Sequence, residues 1–355
     1  MVKSEQPRSA SGNKKGAVTI TDVAALAGVS RATVGYTLTT PGRVSDEIRG
    51  QVQKAIEELG YKGNEAARQL RMGRSRAIAL IVSNAANPVF ATVAAGAERE
   101  SARQGGFILL ANSAEDVQRE REYIAFFESQ GVSGILIAPV LEVPPELPDL
   151  ESRGTPFVLI GTQLEPHNYP SISGDDEQGG YLATKHLIEQ GRRRLAFIGG
   201  PYRQIQNRYG GARRAAKEAK GVSLEWIDLP MQTVRAAEEA VNAMFSSPEG
   251  LPYDGIFAGN DLVAIGLLHR FVEGKVRIPE DLSLVGYDDI EFAATAIIPL
   301  TTIRHDSADM GAGAVRLLSE AIAGSLDASS PQSQQLYPPE LVVRGTSRAT
   351  QSSVK

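Results

Sequence analysis

The stretch Ile20-Thr21-Asp22-Val23-Ala24-Ala25-Leu26-Ala27-Gly28-Val29-Ser30-Arg31-Ala32-Thr33-Val34 decides how the amino-terminal part of this chain folds. Thr19 and Asp22 have the spacing of a capping box ahead of the apolar positions Ile20, Val23, Ala24 and Ala27. Gly28 supplies a stop, because glycine takes the left-handed conformation of a helix end without steric cost. Ser30 is a good cap for a second helix, whose buried face is expected at Val34 and Leu38. Ala24 lets the two helices approach, and Val29 and Val34 plug a small core. Ser30 would offer amide groups at a helix amino end to a phosphate, with Arg31, Ala32, Thr33 and Tyr36 facing a major groove. Ser45 then caps a third helix with Ile48, Val52, Ile56 and Leu59 inside and Gly60 at its end. A three-helix head of this kind can also dock on protein, so these residues alone leave DNA and protein open as partners.

The charge is divided in the same way. Residues 1–75 carry 12 Lys+Arg against 7 Asp+Glu, and the remainder carries 25 against 35, so the net charge of -5 covers a basic head on an acidic body. Residues 1–17 are polar, without an apolar core, and read as a disordered tail rather than a secretory signal. No run approaches the ~18 apolar residues of a membrane span. There are no cysteines, which excludes disulfides and thiol chemistry and fits a reducing compartment. The expected location is the cytoplasm.

From Ala77 onward short apolar runs alternate with helical patterns. The runs are Ile78–Val82, Phe107–Leu110, Gly134–Ala138, Phe157–Ile160, Leu195–Ile198, Leu224–Leu229, Gly255–Ala258 and Leu284–Val285; helices are expected at Ala91–Gln104, Arg119–Gln130, Asp176–Gln190 and Ala236–Phe245. Alternation of this kind gives parallel sheets covered on both faces, and about eight main strands suit two doubly wound lobes. Ligands in such lobes lie beyond the carboxyl ends of the strands.

Enzyme chemistry finds little here. His167, His186, His269 and His305 show no metal-ligand spacing, with His186 expected on a helix surface. There is no Gly-x-Ser-x-Gly and no phosphate loop, and Gly311-Ala312-Gly313 lies in a helical pattern. Asp288 and Asp289 are adjacent and need not form a catalytic pair. The expectation is no enzyme, no metal and no cofactor.

The run Val18-Thr19-Ile20-Thr21-Asp22-Val23-Ala24, then Ala27-Gly28-Val29-Ser30 and Thr33-Val34, resembles the head of the LacI/GalR family of transcriptional regulators. The likeness continues through Val44-Ser45, Arg49, Val52, Ala55-Ile56, Leu59-Gly60-Tyr61, Asn64 and Ala67-Arg68-Gln69-Leu70. The body carries further marks: Asn87-Pro88-Val89-Phe90, Gly131-Val132-Ser133-Gly134, Arg208 with Gly211, Gly259-Asn260-Asp261, Val285-Gly286-Tyr287-Asp288-Asp289 and Pro299-Leu300-Thr301-Thr302-Ile303. The resemblance implies a helix-turn-helix head on a core of two periplasmic-binding-protein-like lobes. It implies a homodimeric repressor of a pseudo-palindromic operator in double-stranded DNA, controlled by a small effector between the lobes.

Residue by residue, it puts Arg31, Ala32 and Tyr36 on bases, Thr19, Ser30, Thr33 and Asn64 on phosphates, and Leu70 in the minor groove. Residues 18–63 would be the head, 64–76 a hinge helix and linker, 77–347 the core and 348–355 a polar tail. Lobe 1 would take about 77–173 and 304–332, lobe 2 about 174–303 and 333–347. The hinge segment is too short to be a stable helix alone in water and would form on the operator, Ala66 and Ala67 letting two copies pack. The tail after Ser347 has no leucine repeat, so dimers rather than tetramers are expected.

In the core the resemblance implies effector contacts at Phe90, Arg208, Asn260 and Asp288. Their chemistry suits a hydroxylated ligand: a fork of donors, an amide that gives and accepts, and a carboxylate that accepts pairs of hydroxyls. Each has a plainer reading, in which Asp288 or more readily Asp289 caps a helix, Asn260 braces its turn and Phe90 is core. Gly161-Thr162 stands where the family often has an Asp, so a carboxylate is expected to be missing from one wall. Ala212 and Ser307 replace bulky residues, which implies a roomier pocket. A carbohydrate is the effector implied; nucleosides and other polar metabolites stay open.

Gly35-Tyr36 replaces the family's common Ser-Arg. Arginine pairs bidentately with guanine, whereas tyrosine makes one hydrogen bond or touches a thymine methyl. Selection of binding sites from random DNA is expected to show a half-site that departs from the common family sequence at that base, with Tyr36→Arg restoring guanine there; guanine enriched by the unaltered protein would contradict this.

Overall fold

In the computed structural model of the chain, the amide and hydroxyl of Thr19 donate to the Asp22 carboxylate at 2.8 and 2.7 Å, completing the capping box. The described residues are 18–61, 75–140, 143–162, 169–245, 251–327 and 330–348. Asn64, Leu70, the hinge and His167 lie outside them. Contacts divide the chain into two compact units, Met1–Arg74 and Ser75–Lys355.

In the first unit, helix α1 (Ile20–Ala27) ends at Gly28 with φ 65°, and α2 (Arg31–Thr39) starts where Ser30 Oγ accepts the Thr33 amide at 3.0 Å. A 3-10 turn (Pro41–Arg43) leads to α3 (Asp46–Leu59), capped by Ser45 and closed by Gly60 with φ 61°. Val23, Ala24, Val34, Val52 and Ala55 form the core, with Val29, Ile48, Ile56 and Leu59 packed against it. Leu38 differs from expectation: it is 42% exposed. The inward face of α2 follows an i, i+3 step from Val34 to Thr37, whose hydroxyl donates to the Thr33 carbonyl.

The second unit holds two six-stranded sheets. The first is built from β1 (Ala77–Val82), β2 (Phe107–Asn112), β3 (Gly134–Ile137), β4 (Phe157–Ile160), β5 (Ser171–Gly174) and β11 (Gln334–Tyr337), in the order β11-β5-β4-β3-β1-β2, all parallel. The second is built from β6 (Arg194–Gly199), β7 (Ser223–Asp228), β8 (Gly255–Ala258), β9 (Ser283–Tyr287), β10 (Thr301–Arg304) and β12 (Glu340–Val342), in the order β12-β10-β9-β8-β6-β7. Only its edge strand β12 runs antiparallel.

Helices cover both faces of each sheet. On the first, α4 (Pro88–Arg103) and α12 (Ser307–Ala323) lie on one face, and α5 (Val117–Ser129) with α6 (Leu147–Ser152) on the other. On the second, α7 (Asp176–Glu189) and α8 (Tyr202–Glu218) oppose α9 (Val234–Phe245) and α10 (Asp261–Glu273). A short helix, α11 (Glu291–Thr295), follows β9. No helix among the described residues is long and apolar enough to cross a membrane.

Four strands escape the apolar-run reading because β5, β10, β11 and β12 are short and polar. In β10 the polar groups are satisfied in place: Thr302 Oγ1 donates to Asp261 at 2.6 Å, and Thr301 Oγ1 pairs with Ser347 Oγ at 2.7 Å. Because β11 belongs to the first sheet, the third crossing between lobes falls between Tyr337 and Glu340, not at 332–333 as expected. His186 is also not at a surface. It is buried against Ser347 and Gln190, and burial lowers its pKa to about 4, so it is a neutral core histidine.

Each lobe brings two helices together through glycine. A Cβ on Gly96 of α4 would meet the Ala308 carbonyl at 1.8 Å, and one on Gly311 of α12 the Val93 carbonyl at 2.0 Å. The second lobe repeats this reciprocity: Gly180 of α7 faces the Arg208 carbonyl at 1.9 Å and Gly211 of α8 faces the Glu177 carbonyl at 1.8 Å. Gly210, next along α8, has open space around it. Gly211→Ala therefore forces backbone apart and is expected to lower stability by about 1–3 kcal/mol. Gly210→Ala removes only the entropy cost of glycine in a helix and should raise it by about 0.5–1 kcal/mol. Urea unfolding of both variants checks this, and equal effects would contradict the helix contact.

Candidate functional site

Between the lobes lies a cavity of about 200 Å³. Its walls take residues from both sheets' carboxyl ends, among them Asn84, Asn87, Phe90, Glu115, Thr162 and Ser307 from the first lobe, and Gln204, Asn207, Arg208, Gln232, Asn260 and Asp288 from the second. All four expected effector residues thus line one space.

Arg208 is its centre. The close approach of α7 and α8 carries its side chain beneath the cleft, where Nε donates to Asp176 Oδ2 at 3.1 Å and Nη1 to the Gly259 carbonyl at 2.7 Å. Nη2 lies 3.6 Å from Asp288 Oδ1, and the guanidinium sits 3.8 Å over the Tyr287 ring. Burial works against its charge, but Asp176 and Asp288 outweigh burial and raise its pKa. Asp288 answers in kind. Burial, reinforced by Asp176 and opposed by Arg208, pushes its carboxyl up to about 6, and Asn87 from the opposite lobe hydrogen-bonds to it.

The backbone that aims Asp288 is strained. Asp288 has φ 100° and Asp289 φ 50°, conformations that cost about 1–3 kcal/mol for residues with a Cβ. Three flanking groups fix the turn. Asp289 caps no helix, contrary to its plainer reading; its carboxylate joins Arg304 and Arg344, each at 2.7 Å. Asp261, fully buried, accepts the Ile290 amide at 2.8 Å and the Thr302 hydroxyl, and burial raises its pKa well above the ordinary value. No feature of the sequence singled out Asp261 apart from its place after Asn260.

The plainer readings and the sharper ones coexist at two positions. Asn260 Oδ1 caps α10 by accepting the Val263 amide at 2.9 Å, and the residue also faces the cavity. Phe90 packs on the first lobe's core while lining the same space. Ala212 is different: it is buried in the core beneath α8 and does not line the cavity, so its small size serves helix packing. Gly161 and Thr162 do form the wall without a carboxylate there, but Glu115 supplies one to the same lobe. It is held by Asn84 Nδ2 at 2.9 Å, on a turn where Ala114 and Glu115 both have positive φ. Among the described residues no group of three His, Asp or Glu can hold a metal ion.

In the first unit Ser30, Arg31 and Ala32 are exposed at the start of α2, and Tyr36 is 48% exposed one turn on. The hydroxyls of Ser30 and Thr33 pair at 2.8 Å, and Thr19 is exposed at the start of α1. Arg31, Ala32 and Tyr36 thus face solvent, while the hydroxyls of Thr19, Ser30 and Thr33 make hydrogen bonds within the head. Asn64 and Leu70 fall among residues not described.

Comparison with known proteins follows the same division. Residues 19–64 match the model of bacterial regulatory proteins of the lacI family, and residues 184–347 that of a periplasmic binding protein-like domain. The Bacillus subtilis ribose operon repressor is 35% identical over 302 residues, covering 84% of this chain and 90% of its own. The transcriptional repressor PurR of Vibrio parahaemolyticus is 32% identical over 336 residues, covering 92% and 98%. A crystal structure of the lac repressor dimer bound to operator and an anti-inducer superposes with a TM-score of 0.84 at 26% identity, covering 94% of this chain and all of that one.

Because the native state holds the Asp288 proton to a higher pH than an unfolded aspartate does, stability from this group falls as pH rises from about 4 to about 6. The stability of the wild type relative to Asp288→Asn is expected to decline across that window in urea titrations. A constant difference would contradict the shift.

Proposed function

The chain belongs to the LacI family of bacterial regulatory proteins, and on that premise we propose that it is a sequence-specific DNA-binding repressor whose operator affinity is set by a carbohydrate bound in the cleft. The observation that carries this reading is the pairing, in one chain, of a helix-turn-helix unit with a free recognition-helix face and a unit with a polar cavity between lobes. Arg31, Ala32 and Tyr36 read bases; Thr19, Ser30, Thr33 and Asn64 hold phosphates; Leu70 wedges the minor groove, where the extra contacts of a bent duplex offset a few kcal/mol of unstacking.

The effector follows from charge. The buried cation Arg208 faces two carboxylates, Asp176 and Asp288, and therefore leaves acceptor capacity unspent. A neutral ligand rich in hydroxyl donors uses that capacity, whereas an anionic one adds negative charge to a desolvated, already acidic cluster. Phe90 gives such a ligand an apolar wall, and Asn260 both donates and accepts. No covalent chemistry is required of any of these groups, and the reading is of a sensor rather than an enzyme, working in the cytoplasm where the operator is.

Reading two half-sites calls for two-fold symmetry. The edge strand β2 exposes Phe107, Leu109 and Leu110, and α5 beside it exposes Phe126. An apolar sheet edge of this kind is a partner surface, and we take it for the homodimer face.

Binding-site selection from random duplexes, followed by titration of the enriched duplex with sugars and nucleosides present, tests the proposal. An inverted repeat should be enriched, and a sugar should change its affinity by about 5–150-fold. No enrichment over bulk DNA would refute the repressor. A response to nucleosides alone would replace the carbohydrate.

A further inference from the structure

The chain crosses between lobes after β5, after β10 and between β11 and β12, and the first two crossings meet at one atom. The Tyr287 hydroxyl lies 2.7 Å from Asp176 Oδ1, just past β5, and 2.8 Å from His305 Nε2, just past β10. A carboxylate only accepts, so the hydroxyl proton points to Asp176, and His305 must donate from Nε2. A neutral imidazole with one N–H meets that need, and burial holds the His305 pKa below its usual range.

The surrounding residues leave room for little else. Tyr287 is fully buried. A Cβ on Gly174 would overlap the His305 ring at 2.6 Å, and one on Gly179 the Tyr287 hydroxyl at 2.5 Å. The other oxygen of Asp176 holds Arg208, whose guanidinium stacks on the same tyrosine ring. The cation of the cleft and two of three crossings are therefore one hydrogen-bonded body.

We propose that Tyr287 is the positioning residue of the interlobe hinge, its hydroxyl locking the first crossing to the second and thereby fixing the angle at which Arg208 and Asp288 face the opposite lobe. This rests on the cleft being the sensor site, but its test needs neither DNA nor effector. Phenylalanine at 287 keeps the ring under Arg208 and removes only the link.

The chain has no cysteine, so an introduced pair can be labelled alone. Nitroxides at Glu151→Cys in the first lobe and Lys217→Cys in the second, both exposed sites, report the interlobe distance by pulsed dipolar spectroscopy. Labelled full-length chain diluted into unlabelled chain isolates pairs within one protomer. A second pair, Lys217→Cys with Glu239→Cys, lies wholly in the second lobe.

In ligand-free protein, Tyr287→Phe should make the interlobe distribution about twofold wider, with the single-lobe pair unchanged. His305→Asn should reproduce this, and the two changes together should widen it no further, because they cut the same link. An interlobe distribution that either variant leaves superposable on the wild type overturns the proposal. So does equal widening of the single-lobe pair, which would mean general loosening. Loss of operator selectivity in the wild type would sink the repressor reading and leave this result standing.

Discussion

A guanidinium buried between two lobes needs opposite charge close by, and the burial of Arg208 organises most of the cleft. Asp176 and Asp288 supply that charge from two directions, the first at the start of α7 and the second on a strained turn after β9. Removing Arg208 would leave two facing carboxylates without their cation, an effect of about 3–5 kcal/mol. The turn that carries Asp288 is held in its turn by Asp261, Arg304 and Arg344. The helix that carries Arg208 can reach its place only because Gly180 and Gly211 let two backbones touch.

The same cluster gives a small molecule a hold on the segments that join the two lobes. Asp176 and His305 belong to segments that pass from one lobe to the other, and both are hydrogen-bonded to the residue on which Arg208 stacks. A ligand that draws on Asp288 and Arg208 changes the balance of forces on those segments. Its leverage equals its preference for one interlobe arrangement over another. The head keeps its own small core and exposes Arg31, Ala32 and Tyr36.

Much of this was legible in the sequence, for reasons that differ by region. The caps Thr19, Ser30 and Ser45 and the stops Gly28 and Gly60 were readable because capping chemistry is local. The long apolar strands were readable because buried parallel strands are continuous apolar runs. Strands β5, β10, β11 and β12 were not, since they are short and polar, and in β10 the threonines are satisfied by partners remote in sequence. Leu38 misled because its helix turns inward on an i, i+3 step. Phe90, Arg208, Asn260 and Asp288 were found through resemblance, and they do line one cavity. Glu115, Asp261 and Tyr287 were missed because their importance lies in what they touch across the fold.

Occupancy of the cleft and grip on an operator are two readings of one equilibrium. Thermodynamic linkage makes that claim sharp: the factor by which a sugar changes operator affinity must equal the factor by which the operator changes sugar affinity. Calorimetric titration of the sugar that changes operator affinity most into the free protein and into the protein saturated with its selected duplex measures the second factor directly. Affinities that differ by about 5-fold or more and match the first factor are expected; identical sugar affinities with and without the duplex would break the linkage.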